Sequence, residues 1–251
     1  MSSISAAVLT SVLLVFETAS GKDASTASAA ITGRKLWEHT FLPRGSRRTH
    51  THGKPKSDYY GLEDWELDVC KKISHVLRKE WGARPPKAEN YLRVNGGVSY
   101  VFYHHTGREQ CFSNKTCSQI ILKWQLVHQK TQGWDDIGYN FIIGSNGMVF
   151  VGRGWNKIGA HTVGFNNKSV SFGFVGDYSR QVPNDLMLQA AQNLIQCGIK
   201  LGKIRATFSL HGQSDANCRD CPGKAFHASM KRMPHFGGRL PGYICTPSPW
   251  N

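Results

Sequence analysis

Tyr139-Asn140-Phe141-Ile142-Ile143-Gly144-Ser145-Asn146-Gly147-Met148-Val149-Phe150-Val151 is the stretch that decides the fold. Tyr139 to Ile143 is almost continuously apolar and aromatic, the pattern of a strand buried on both faces. Gly144 to Gly147 is turn chemistry, and Met148 to Val151 is then predicted to be the hairpin partner of the first strand. Working outward, Ser99 to His104 and Val170 to Val175 read as two further buried strands. Between the strands, Cys117, Ile120, Ile121, Trp124, Val127 and His128 recur at three- and four-residue intervals, which predicts an amphipathic helix. Met187, Ala190, Ala191, Leu194, Ile195 and Gly198 repeat that spacing, with Pro183 and Asn184 as a start signal. Pro222 is predicted to open a third helix reaching about Met233. Strands interleaved with helices place the chain in the α/β class, with one central mixed β-sheet flanked by three main α-helices.

The chain has 251 residues, enough for a proper core. Its 31 Lys and Arg exceed its 17 Asp and Glu by 14, a surplus that favours polyanionic partners such as nucleic acid, acidic membranes or bacterial cell-wall polymers. No basic-aromatic ladder accompanies that charge, so nucleic acid is not expected. Ala6 to Phe16 is an apolar run of signal-peptide length followed by the small residues Ala19, Ser20 and Gly21, although no Lys or Arg precedes it and Glu17 interrupts its end. Residues 1–20 are read as a signal peptide and residues 21–65 as a disordered basic linker, suited to a solvated tether or an arm for anionic surfaces. Residues 66–251 have the pattern of one packed domain. No other segment could cross a bilayer, so a secreted, soluble protein is expected.

Seven cysteines in a secreted chain imply three disulfides and one odd thiol. A metal is a good holder for an unpaired extracellular thiol, which draws attention to Cys221. His104 ends the apolar run Tyr100-Val101-Phe102-Tyr103-His104, and Tyr139 supplies a phenol; together the three suggest a His/Cys metal site. The place where a second histidine is wanted holds Gln213, with His211 two residues earlier.

Glu80-Trp81-Gly82-Ala83-Arg84-Pro85-Pro86, His104-His105-Thr106, Gly133-Trp134-Asp135-Asp136-Ile137-Gly138-Tyr139-Asn140-Phe141, Gly152-Arg153-Gly154-Trp155, Gly159-Ala160-His161-Thr162 and Cys221-Pro222-Gly223 follow one another in order. In that order and spacing, from residue 70 to about 236, the chain resembles the peptidoglycan recognition proteins, which share a fold with N-acetylmuramoyl-L-alanine amidases. The resemblance implies bacterial peptidoglycan and its muropeptides as partners. It implies zinc held by His104, by Cys221 and by whatever occupies the position of Gln213. Tyr139 would stand beside the metal-bound water and Arg219 beside the developing oxyanion. Trp134, Arg153, Trp155, His161 and Asn166 fall at positions of the ligand groove. The resemblance also pairs Cys111 with Cys117 and Cys70 with Cys197. Cys218 and Cys245 are then assigned to each other, and Cys221 stays free.

Gln213 is the departure. A glutamine carbonyl is a poor zinc ligand beside an imidazole. His211 could take its place only if the backbone re-registers, because residues i and i+2 of an extended segment sit roughly 6.6 Å apart. Two readings therefore stand: a secreted innate-immune zinc amidase with weak or absent metal, or a binding-only receptor or antibacterial module. Asn114-Lys115-Thr116 and Asn167-Lys168-Ser169 are glycosylation sequons.

Overall fold

The computed structural model describes residues 64–245, so the expected signal peptide and all but the end of the basic linker lie outside the described residues, as do residues 246–251. Among the described residues a single six-stranded sheet organises the fold. Its strands are β1 (His75–Val76), β2 (Val98–His105), β3 (Phe141–Ile143), β4 (Val149–Val151), β5 (Ser169–Phe174) and β6 (Ile204–Gly212), in the spatial order β1-β4-β3-β5-β2-β6. The β3–β4 hairpin is the antiparallel pair, with Phe141 opposite Val151 and Ile143 opposite Val149; every other neighbour runs parallel. The sheet is mixed, as the interleaved pattern requires.

Alternation along the strands divides the core between two faces. Val101, Tyr103, Phe141 and Phe172 pack with α3 (Asp185–Lys200) and α4 (Lys224–Met230). Ile142 and Phe150 turn the other way and meet Cys117, Ile120 and Ile121 of α2 (Asn114–Leu126). A capping box opens α2: the Ser113 hydroxyl accepts the Thr116 N–H while the Thr116 hydroxyl accepts the Ser113 N–H. In α3 the Asn184 side chain accepts the Met187 N–H at 3.0 Å, at the start signal read from the sequence. The third helix is shorter than expected, and the sheet is larger. Strand β6, the two-residue β1 and the short α1 (Asp64–Val69) all lie where no element was anticipated. All three disulfides form as assigned, Cys70–Cys197, Cys111–Cys117 and Cys218–Cys245, and Cys221 is free. No helix among the described residues is long and apolar enough to cross a membrane.

Candidate ligand cleft and its incomplete metal centre

The carboxyl ends of β2 and β6 open into a cleft of about 750 Å³, on the side of the sheet that Phe102 and His104 face. Ligands of α/β proteins commonly bind at this end of parallel strands. One wall is aromatic. Trp124, near the end of α2, is followed at four residues by His128, which lies in a π-helical turn, Val127–Thr131. The His128 ring lies 4.6 Å from that of Trp134 and 5.8 Å from that of Tyr139. The cleft is also lined by Ala160 to Val163, Asn166, residues 216–221 and, near the end of the described chain, Gly242 and Ile244.

At the floor His104 Nδ1 stands 3.4 Å from Cys221 Sγ. Two ligands of one tetrahedral zinc, at about 2.0 Å for nitrogen and about 2.3 Å for sulfur, would be about 3.5 Å apart. Burial is the main cause that holds the His104 imidazole neutral, with a pKa down at about 3, and neighbouring His105 adds to it. Burial likewise pushes the Cys221 thiol up to about 12. The neutral ring that leaves Nδ1 facing the sulfur carries its proton on Nε2, which points at His161 Nδ1 at 3.2 Å. His161 is 8% exposed and is held in turn by Thr162 Oγ1 at 3.0 Å. Gly159 makes room for it, since a Cβ there would lie 2.4 Å from the His161 ring.

Tyr139 crosses β5 through the gap left by Gly173, where a Cβ would stand 2.8 Å from its ring. Its hydroxyl donates to the His105 carbonyl at 3.3 Å, and its ring centroid is 5.6 Å from that of His104. Burial, reinforced by Cys221, raises its pKa beyond the usual tyrosine range, so it faces the cleft as a neutral donor.

The third donor is where the set breaks. In the β2–β6 ladder Phe102 pairs with His211 and Tyr103 with Gly212; the strand ends there, and Gln213, the first residue of a short 3-10 turn, lines the cleft together with His104. His211 does not reach it. Its Nδ1–H donates to the Gly238 carbonyl at 2.8 Å, and its Nε2 takes the Ser209 hydroxyl at 2.8 Å. Both ring nitrogens are committed within the strand and its cover, and His211 is absent from the cleft lining. Among the described residues no three His, Cys, Asp or Glu side chains come together to hold a metal ion. Two donors fit zinc, but the three-ligand set that a catalytic zinc needs does not.

Trp134, Tyr139, His161, Asn166 and Arg219 all line the cleft, and two of them have structural duties as well. Asn166 Oδ1 accepts the His161 and Thr162 N–H groups at 2.9 and 2.8 Å, fixing the turn that carries His161. Trp134 packs over Gly138, where a Cβ would meet its ring at 2.9 Å. Arg153 and Trp155 require correction, because neither lines the cleft. Trp155 is 1% exposed, with its ring 4.5 Å from Phe141 in the core. Arg153 is buried and spends its guanidinium on the carbonyls of Ile137, Ile158 and Asp136 at 2.7, 2.9 and 3.3 Å, which braces the loop leading to Tyr139. Trp124 and His128, read from the sequence only as part of an amphipathic helix stripe, line the cleft, as do Val163 and Ile244, which the sequence did not single out. For His128 the i, i+4 relation to Trp124 was visible; for Ile244 no local signal existed.

Comparison with known proteins agrees with this geometry. The N-acetylmuramoyl-L-alanine amidase family model matches residues 94–224. Peptidoglycan-recognition protein LB of Drosophila melanogaster is 39% identical over 162 residues, covering 64% of this chain and 69% of that protein. The solved structure of wild-type Drosophila PGRP-LB superposes with a TM-score of 0.63 at 37% identity, over 67% of this chain and 97% of that one. Peptidoglycan recognition protein-LE, solved in complex with tracheal cytotoxin, a monomeric diaminopimelic acid-type peptidoglycan, gives a TM-score of 0.63 at 30% identity over 67% and 97%. The chain belongs to the peptidoglycan recognition protein family, built on the N-acetylmuramoyl-L-alanine amidase domain.

Proposed function

We propose that this protein is secreted and holds bacterial peptidoglycan fragments in the cleft as an innate-immune recognition module, without turning over the muramoyl-L-alanine amide. The observation that carries this reading is Gln213 in the place of the third metal donor, with His211 committed to Gly238 and Ser209. Binding needs only the walls. Trp124, Trp134 and Tyr139 offer aromatic faces, and His161, Asn166 and Arg219 bring polar atoms to the same space, the composition expected for a sugar-peptide ligand. The complex of protein-LE with tracheal cytotoxin supports the choice of ligand. The apolar N-terminal run and three disulfides support secretion.

The retained His104–Cys221 pair favours a second reading, a weak zinc amidase. The two are separated by sedimenting the protein with insoluble peptidoglycan, competing with a soluble muropeptide, and analysing the supernatant for peptide released with an L-alanine amino terminus. Binding without release is the expected result. Release that depends on added zinc would establish the amidase, and failure to co-sediment would remove the binding reading.

A further inference from the structure

The C-terminal chain returns to the cleft after leaving α4. Leu240 N–H donates to the Asp215 carbonyl at 2.9 Å, and Ile244 N–H donates to the Ala216 carbonyl at 3.2 Å. Asn217 and Ile244 form a parallel bridge, and the next pair along the two segments is the disulfide Cys218–Cys245. Leu240 is buried against Phe102, Phe165 and Ala216. Arg239 lies over the Tyr243 ring at 4.1 Å. Residues 240–245 therefore form a strap sewn at both ends to residues 215–218, the segment that leads to Arg219 and Cys221. The amidase family model matches residues 94–224, so the strap lies beyond the residues that it matches.

Within the strap, Gly242 and Ile244 line the cleft. Ile244 is 61% exposed, and across the same cavity wall Val163 is 87% exposed. Both aliphatic side chains line a space whose other large side chains are polar or aromatic, with much of their surface still in water. A ligand that entered would remove that surface from water, which is favourable in proportion to the apolar area covered. Sugar-peptides carry methyl groups of matching size on their acetamido, lactyl and alanyl positions.

We infer that the strap, residues 240–245, is a specificity wall of the cleft, in which Ile244 contacts methyl-bearing parts of the ligand and the Cys218–Cys245 bond holds that contact in place. This inference rests on the peptidoglycan-binding reading. Ile244 anchors the strap through its backbone N–H, so Ile244→Ser keeps the anchoring bond and changes only the face presented to the ligand. Val182→Ser, at an aliphatic residue that is 48% exposed away from the cleft, is the control.

The test is isothermal titration with a soluble muramyl tripeptide, alongside thermal melts, on the unsubstituted protein and the variants. Ile244→Ser is expected to weaken binding about fivefold with an unchanged melting temperature, as removal of a partly covered aliphatic group implies. Val182→Ser should change neither quantity. The paired Cys218→Ser, Cys245→Ser variant should weaken binding at least as much as Ile244→Ser; if it fails to fold, Ile244→Ser alone decides. Equal affinity of Ile244→Ser and the unsubstituted protein overturns the inference while leaving the binding reading intact. No binding by the unsubstituted protein overturns both.

Discussion

Replacing Gln213 by histidine should turn the cleft floor into a zinc site. His104 Nδ1 and Cys221 Sγ are already 3.4 Å apart, against the about 3.5 Å expected of two tetrahedral zinc ligands. Position 213 follows directly on the Tyr103–Gly212 pair and lines the same cleft as His104 and Cys221, where an imidazole would supply the third donor. Loss of a mere outer-shell partner costs a zinc site 10–100-fold in affinity, so gain of a direct ligand should strengthen binding by at least about 100-fold. The pH dependence is also fixed. His104 is neutral down to about pH 3, so near neutrality it releases no proton when metal binds. Cys221, held protonated up to about 12, releases one. In the unsubstituted protein zinc affinity should therefore rise about tenfold per pH unit between 6 and 8. Competition against a chromophoric chelator measures both quantities, and metal analysis after dialysis gives the stoichiometry. The unsubstituted protein should retain far less than one zinc per chain, and Gln213→His close to one. Tight stoichiometric zinc in the unsubstituted protein would refute the reasoning about Gln213, and no gain in the variant would refute the ligand assignment.

Other consequences are as specific. Asp136 is buried, pairs with Arg78 at 2.9 Å and accepts from Gln125 Nε2 at 2.6 Å, so Asp136→Ala leaves a buried guanidinium without its counter-ion. Urea unfolding should show a loss of about 3–5 kcal/mol, and a loss under about 1 kcal/mol would contradict the buried-pair account. His128 Nδ1 accepts the Gly138 N–H at 3.0 Å, and burial, with Arg153 adding to it, holds its pKa at about 4 against 6.5 unfolded. Because the folded value is the lower one, its contribution is complete above pH 6.5 and is lost as pH falls toward 4. Between those values His128→Gln should flatten the fall of stability with pH by about 1.4 kcal/mol per unit, and an unchanged slope would contradict the assignment. Trp134→Ala should weaken muropeptide binding about tenfold by titration calorimetry, and unaltered affinity would remove the aromatic wall from the account.

Elements whose signal is local and contiguous were legible in the sequence. The β3–β4 hairpin, the stripe of α3 and the buried run of β2 each carry their pattern within a dozen or so residues, and the odd cysteine pointed to Cys221. Strand β6 escaped because it is an edge strand whose exposed Arg205, Ala206 and Thr207 interrupt the alternation that Phe208 and Leu210 would have shown. Residue type alone does not separate a ligand contact from an internal brace. Arg153 has the chemistry of a carboxylate binder and is spent on three backbone carbonyls. Trp155 could wall a cleft and instead fills the core. β-strand geometry left His211 as a ligand only on condition that the backbone re-registers, and it took the bonds to Gly238 and Ser209 to show where the ring is held. The place of Ile244 depends on a disulfide spanning 27 residues, and no window of sequence contains it.

The central claim is that the cleft holds peptidoglycan while Gln213 leaves it without a working metal centre. The most direct measurement incubates the protein with a stoichiometric amount of a muramyl peptide and saturating zinc, then separates bound ligand and identifies it by mass spectrometry. The account predicts ligand that co-elutes with the protein and is recovered with its muramoyl-L-alanine bond intact. Recovery of the separated sugar and peptide, or elution of all the ligand apart from the protein, would contradict it.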